Sequence, residues 1–136
     1  MNHKNKKVQT GVAVLVKKDN KILLIKRKGS HGSGTWAPPG GHLDFGESIS
    51  GCAERETREE IGLKIKNLKV VGFTQDLFKK EKKHYITIWV ESEWESGKTK
   101  IGNDEMSKIG WFSWKKLPKP LFLCFKNFVE EKYLPR

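Results

Sequence analysis

The feature that most constrains this chain is a pair of segments held at a fixed distance. Gly41-His42-Leu43-Asp44-Phe45-Gly46-Glu47 is followed, after seven residues, by Arg55-Glu56-Thr57-Arg58-Glu59-Glu60-Ile61-Gly62-Leu63. Together they gather five carboxylates and two arginines beside a paired-glycine turn, in a chain whose formal net charge is +11. The second segment reads as a helix. Ser48 or Ser50 can cap its start, and Gly62 stands where a left-handed C-cap glycine belongs. Ile49, Ala53, Thr57 and Ile61 recur every four residues and form one stripe facing a core. Glu56 and Glu60 are also four apart, with Glu59 one step round, so the three side chains form an adjacent patch.

Like charges at that spacing repel, and a helix without a task would gain by pairing them with lysine. A solvated charged face is the plainer reading of the three glutamates. The fixed offsets of the glycines, Glu47 and Arg55 weigh against it. Gly40-Gly41 after Pro38-Pro39 gives a rigid approach and then a backbone that can come close to a ligand. Arg55 is positioned to fork onto the Glu47 carboxylate and pin the loop to the helix. Acidic residues so concentrated on a basic background ask for a cation. Magnesium is the natural one, because it takes hard oxygen ligands and binds together with substrate phosphates.

The pattern Gly41-x5-Glu47-x7-Arg55-Glu56-Thr57-x-Glu59-Glu60-x-Gly62-Leu63 resembles the signature box of the Nudix hydrolases. Its one departure is Thr57, where the pattern prefers an aliphatic residue. The likeness extends to Gly11–Val16, Ile22–Arg27 and Gly34-Thr35-Trp36, which resemble the strands before the box in MutT-like members. Arg27-Lys28-Gly29-Ser30, Gly41-His42 and His84-Tyr85-Ile86-Thr87 resemble the branch that hydrolyses nucleoside triphosphates. Trp111-Phe112-x4-Leu117-Pro118 is similar to a late strand and exit turn of many members.

The resemblance implies an α/β (α+β) fold of the Nudix type, with a mixed β-sheet sandwiched between α-helices. It implies Mg2+ as cofactor, with Mn2+ as an alternative, held by Glu56, Glu59 and Glu60, the Gly40 carbonyl and, more weakly, Glu105. Glu59 is then a ligand or the base that deprotonates water. Glu56, Glu59, Arg55 and Glu47 make up the expected catalytic group, with Glu47 holding Arg55. Substrate contacts are expected from Arg27, Gly41, His42 and an aromatic slot of Trp36, Phe122 and Leu123. His84 is expected to pack within its strand. The implied activity is hydrolysis of a nucleoside or deoxynucleoside triphosphate to monophosphate and pyrophosphate, with cleaning of the nucleotide pool as a role. Hydrolysis of ADP-ribose or a nucleotide sugar is the enzymatic alternative. A cap-removing or non-catalytic RNA-associated protein is the alternative of another class.

A length of 136 residues points to one domain spanning 1–136, with residues 1–7 loose. No run approaches the ~18 apolar residues of a membrane span, and the N-terminus lacks the apolar stretch of a secretory signal. Cys52 and Cys124 have neither a pairing framework nor zinc-like spacing, so a reducing cytoplasm is the default and Cys52 reads as a packed thiol. The positive charge is almost all lysine, the arginines being Arg27, Arg55, Arg58 and Arg136. Scattered lysine without arginine–aromatic interleaving does not make a dedicated nucleic-acid surface. The expected partner is a nucleotide substrate, with no membrane, and the chain a monomer or homodimer.

Along the chain, Val8–Val16 and Lys21–Arg27 read as a hairpin turning at Asp19-Asn20. Lys64–Phe78 and Lys82–Glu93 read as two long strands around a lysine-rich turn. Glu95–Asp104 is a polar loop, Lys108–Trp114 a further strand, and Pro120–Tyr133 an amphipathic helix.

Overall fold

The computed structural model describes residues 6–29 and 31–130. The expectations for residues 1–5 and for a helix beyond 130 lie outside the described residues. The described elements are β1 (Val8–Lys18), β2 (Lys21–Arg27), β3 (Trp36–Ala37), β4 (Gly40–His42), α1 (Ile49–Ile61), β5 (Lys64–Phe78), β6 (Lys83–Ser96), β7 (Met106–Phe112) and α2 (Leu123–Val129).

The strands form a mixed sheet with the path β3-β2-β1-β6-β5, in which β4 also pairs with β1 and β7 with β2. β1 and β6 run parallel, and the other pairs are antiparallel. On its other edge β1 pairs with β2 only at Lys17 and Lys18, and with β4 along Gly11–Ala13. The two long strands thus splay apart, and β4 enters the gap. That wedge carries Gly40 and Gly41 into the sheet beside its central strand.

Both faces of the sheet are covered. Val12, Val14, Val16, Leu23 and Ile25 pack with Cys52, Ala53 and Ile61 on the α1 side. Ala13, Leu15, Ile22 and Leu24 pack with Trp89 and Phe125 on the α2 side. Strands buried on two faces read as unbroken apolar runs rather than alternation, as these two do. Asp19 and Asn20 take φ of 51° and 63° at the hairpin tip, the left-handed pair that matches strand twist.

Ser48 is the N-cap of α1, its Oγ accepting from the Gly51 N–H at 3.0 Å. Gly62 closes the helix at φ +75°, donating its N–H to the Arg58 carbonyl. Thr57 fits the buried stripe because its hydroxyl donates to the Ala53 carbonyl at 2.7 Å, leaving the methyl to pack. The loop before β7 holds the end of the helix: the Lys100 and Gly102 N–H groups donate to the carbonyls of Ile61 and Glu60.

Several element ends differ from expectation. β1 continues to Lys18, β6 to Ser96, and the late strand is shifted to Met106–Phe112. α2 starts at Leu123 rather than at Pro120. Residues 120–122 lie extended against β3 instead, with Trp36 N–H donating to the Pro120 carbonyl and Phe122 N–H to the Trp36 carbonyl, each at 2.9 Å. No described helix is long and apolar enough to cross a membrane.

Candidate active site

Arg55 organises the exposed side of α1. Its Nε donates to Glu47 Oε2 at 2.7 Å and one Nη to Glu47 Oε1 at 3.0 Å, a two-pronged contact across the loop. The other Nη donates to Glu56 Oε1 at 2.8 Å and reaches Glu59 at 3.5 Å. Hydrogen bonding from Arg55 lowers the Glu47 pKa to about 2, and Glu47 first of all raises that of Arg55. Cys52 is fully buried beneath this layer, and burial pushes its thiol up to about 11. It is a packed, protonated thiol.

Glu60 turns inward. Its Oε1 accepts from the Gly40 N–H at 2.9 Å. Burial pushes its pKa up to about 8, against the pull of the Gly40 hydrogen bond, and the Glu56 carboxylate beside it adds to the rise. Gly41 passes so close to Glu56 that a Cβ there would stand 2.5 Å from the carboxyl carbon. Glu59 is exposed. Among the described residues, no three carboxylate, imidazole or thiol groups close on one point. The donor chemistry nevertheless fits magnesium. Glu56 and Glu60 offer adjacent hard oxygen donors, and Gly40, whose carbonyl is the further ligand expected from the sequence, is tied to Glu60 through its N–H.

From this patch a cleft of about 240 Å³ runs past Gly40, Gly41 and Glu60 to a wall of Phe78, Tyr85 and Phe122. The Arg27 guanidinium stands 4.0 Å from the centre of the Phe122 ring. His31 meets Phe78 and Phe122 edge-on, and burial lowers its pKa, with Arg27 and Lys83 adding to the fall. His42 Nε2 lies 3.1 Å from the Tyr85 hydroxyl. A second hollow of about 340 Å³ shares Gly40, Gly41, His42, Glu60 and Glu105 with the cleft and reaches Asp44, Arg55, Glu56 and Asn103.

Of the residues singled out in the sequence, Arg27, Gly40, Gly41, His42, Glu60, Glu105 and Phe122 line the cleft, while Glu56 and Arg55 line the adjoining hollow. Glu47 stands behind Arg55. Trp36 and Leu123 are not on the cleft lining. Trp36 packs edge-on against Phe112 at 5.1 Å between ring centres, and it is its neighbour Ala37 that faces the cleft. Leu123 packs against the cluster of Ala37, Phe78 and Phe122. Sequence reasoning missed Phe78 and His31, and it picked out Tyr85 and Thr87 only as part of the His84–Thr87 segment, without a place on the cleft. The available signal was the pair of aromatics flanking the lysine-rich turn between β5 and β6.

The chain matches the NUDIX domain family over residues 6–131. It is 35% identical over 108 residues to an ADP-ribose pyrophosphatase of Methanocaldococcus jannaschii, a match covering 79% of this chain and 63% of that protein. It is 29% identical over 135 residues to the NAD-capped RNA hydrolase NudC of Pseudomonas aeruginosa, covering 98% of this chain and 47% of that one. The chain thus spans about half to two thirds of the length of these relatives. Its fold superposes with a TM-score of 0.86 on the crystal structure of a MutT NUDIX hydrolase from Burkholderia pseudomallei, at 26% identity over 92% of this chain and 98% of the other. The acidic box on α1, the wedge of β4 in a mixed sheet and a family match over nearly the whole chain lead to one conclusion: the chain belongs to the Nudix family.

Proposed function

We propose that this chain is a magnesium-dependent pyrophosphohydrolase of nucleotides, breaking a phosphoanhydride bond to release a nucleoside monophosphate. The observation that carries this reading is contiguity. The Glu56–Glu60 patch opens directly into an aromatic-walled cleft, so one ligand can lay its phosphates on the first and its base in the second. Magnesium, when bound, neutralises phosphate charge and brings water into line with phosphorus. Glu56, Glu60 and the Gly40 carbonyl would hold it. Glu59, exposed beside them, takes the proton of the attacking water. Arg55, forked on Glu47, fixes the direction of Glu56. Arg27, which lines the cleft together with Glu60, offers its guanidinium to the phosphates, and Glu105 lines the hollow beside Glu60.

Two substrate classes satisfy this geometry. A nucleoside or deoxynucleoside triphosphate, yielding monophosphate and pyrophosphate, is supported by the Arg27-Lys28-Gly29 and Gly41-His42 segments beside the cleft. A diphosphate of the ADP-ribose type is supported by the 35% identity to the archaeal relative. The deciding experiment supplies the purified protein and magnesium with triphosphates, ADP-ribose, nucleotide sugars and NAD-capped RNA, and identifies both products. Pyrophosphate marks the first class and ribose 5-phosphate the second. Folded Glu56→Gln and Glu60→Gln variants should lose turnover and also lose any rise in melting temperature on adding magnesium. Near-normal activity in both variants would refute the metal assignment.

A further inference from the structure

Behind the cleft wall runs a buried chain of polar side chains. Trp89 Nε1 donates to Thr74 Oγ1 at 3.0 Å, and Thr74 Oγ1 donates to Asp76 Oδ2 at 3.2 Å. Thr87 Oγ1 donates to the same carboxylate oxygen at 2.6 Å, while Asn127 Nδ2 donates to Asp76 Oδ1 at 2.9 Å. Every member is buried, and of the five only Thr87 lines the cleft. Gly11 is the register partner of Thr87 across the parallel pair, so no side chain stands over it from β1.

The proton directions follow from the chemistry of the groups. An indole N–H only donates, so Thr74 accepts from it and sends its own proton onward. A carboxylate only accepts, so both threonine protons point at Asp76. Thr87 has one proton, and it is committed inward. What remains on its oxygen is lone pairs.

We propose that Thr87 meets the base in the cleft as a hydrogen-bond acceptor, so that the chain selects a nucleobase bearing an amino N–H over its oxo counterpart. Asp76 is the positioning residue that fixes the Thr87 proton. An amino group satisfies the lone pairs, whereas an oxo group sets lone pairs against lone pairs and leaves both unpaired. The inference rests on the cleft being the nucleoside site, and it holds equally for a triphosphate or an ADP-ribose-type substrate, since both deliver the same nucleoside monophosphate.

The test uses binding in chelator, by calorimetry, of AMP against IMP and of CMP against UMP. At least one amino member should bind roughly fivefold more tightly than its oxo partner. Thr87→Val should erase that gap and Thr87→Ser keep it. Asp76→Asn, with its amide N–H turned to Thr87, frees the hydroxyl proton toward the cleft and should narrow or reverse the gap, which a merely structural loss would not do. Equal affinities in both pairs, an oxo preference, or no binding by any of the four would overturn the inference. So would a gap that survives in a folded Thr87→Val or at full size in a folded Asp76→Asn. Turnover with magnesium, measured on the same preparation, keeps the two readings apart. Turnover without amino preference sinks the base-reading role alone, and amino preference without turnover sinks the hydrolase alone.

Discussion

Glu60 Oε1 accepts the N–H of Gly40 at 2.9 Å, joining the last turn of α1 to the strand wedged between β1 and β2. That bond fixes the acidic face of the helix against the floor of the cleft. It also makes the two glycines of β4 unequal, although they are adjacent in sequence.

A methyl group on Gly41 would fall 2.5 Å from the Glu56 carboxyl, which is the far end of a flexible side chain and can swing away. Gly41→Ala should therefore fold with little change in melting temperature, while displacement of Glu56 lowers turnover by about 100-fold. A methyl on Gly40 would fall 2.2 Å from the Val12 carbonyl, which is backbone in the central strand. Gly40→Ala should cost about 1–3 kcal/mol in urea unfolding. Equal loss of stability in the two variants would contradict this division.

Arg55→Lys keeps the charge but not the two-pronged contact with Glu47. An ammonium cannot hold Glu47 and Glu56 together from one planar group. Steady-state kinetics should show a drop of about 10–100-fold in kcat/KM, with the magnesium needed for half-maximal rate shifted upward. Wild-type magnesium dependence in this variant would separate Arg55 from the metal ligands.

Stability in chelator should depend on pH through Glu60. Its folded pKa is raised from 4.5 to about 8, so the native state binds more protons than the unfolded chain between those values. The contribution is present below about pH 4.5 and is lost as pH rises toward 8. Urea midpoints of the wild type should fall across that window, and Glu60→Gln should flatten the fall. A steeper decline in the variant would reverse the sign argued here.

Phe125 on α2 is fully buried and lies 6.1 Å, ring centre to ring centre, from the equally buried Trp89. Phe125→Ala removes a ring from the core on that side of the sheet and should cost about 3–5 kcal/mol by chemical denaturation. A loss below about 1 kcal/mol would mean that α2 contributes little to the fold.

Much of this architecture was legible where one local rule decided the outcome. Lys21–Arg27, a continuous apolar run, and Lys64–Phe78, an alternating one, have in the structure the bounds that the flanking turn residues set in the sequence. Ser48 and Gly62 cap α1 as their chemistry requires. The start of α2 was not legible, because Leu121 continues the helical spacing of Phe125 and Phe128 while packing on the same core from an extended backbone. Trp36, which hydrogen-bonds Pro120 and Phe122 on either side of Leu121, is distant in the chain. The cleft wall was hidden for a related reason. A strand of two residues has no period, so nothing local tells whether Trp36 or Ala37 faces the ligand. Thr74, Asp76 and Phe78 do form a buried alternating row on β5, and an aspartate in such a row is a sign of a polar network behind the site.

The parallel pairing of β1 with β6 also bears on biogenesis. A ribosome that has just released Gly62 has already made every acidic residue of the box, yet the partner that completes the central strand is still untranslated. Closing that long loop is entropically slow and must precede assembly of the sheet. Nascent chains should thus carry the glutamates as loose polyanion, and the proposed magnesium site should assemble late, after synthesis has passed residue 96.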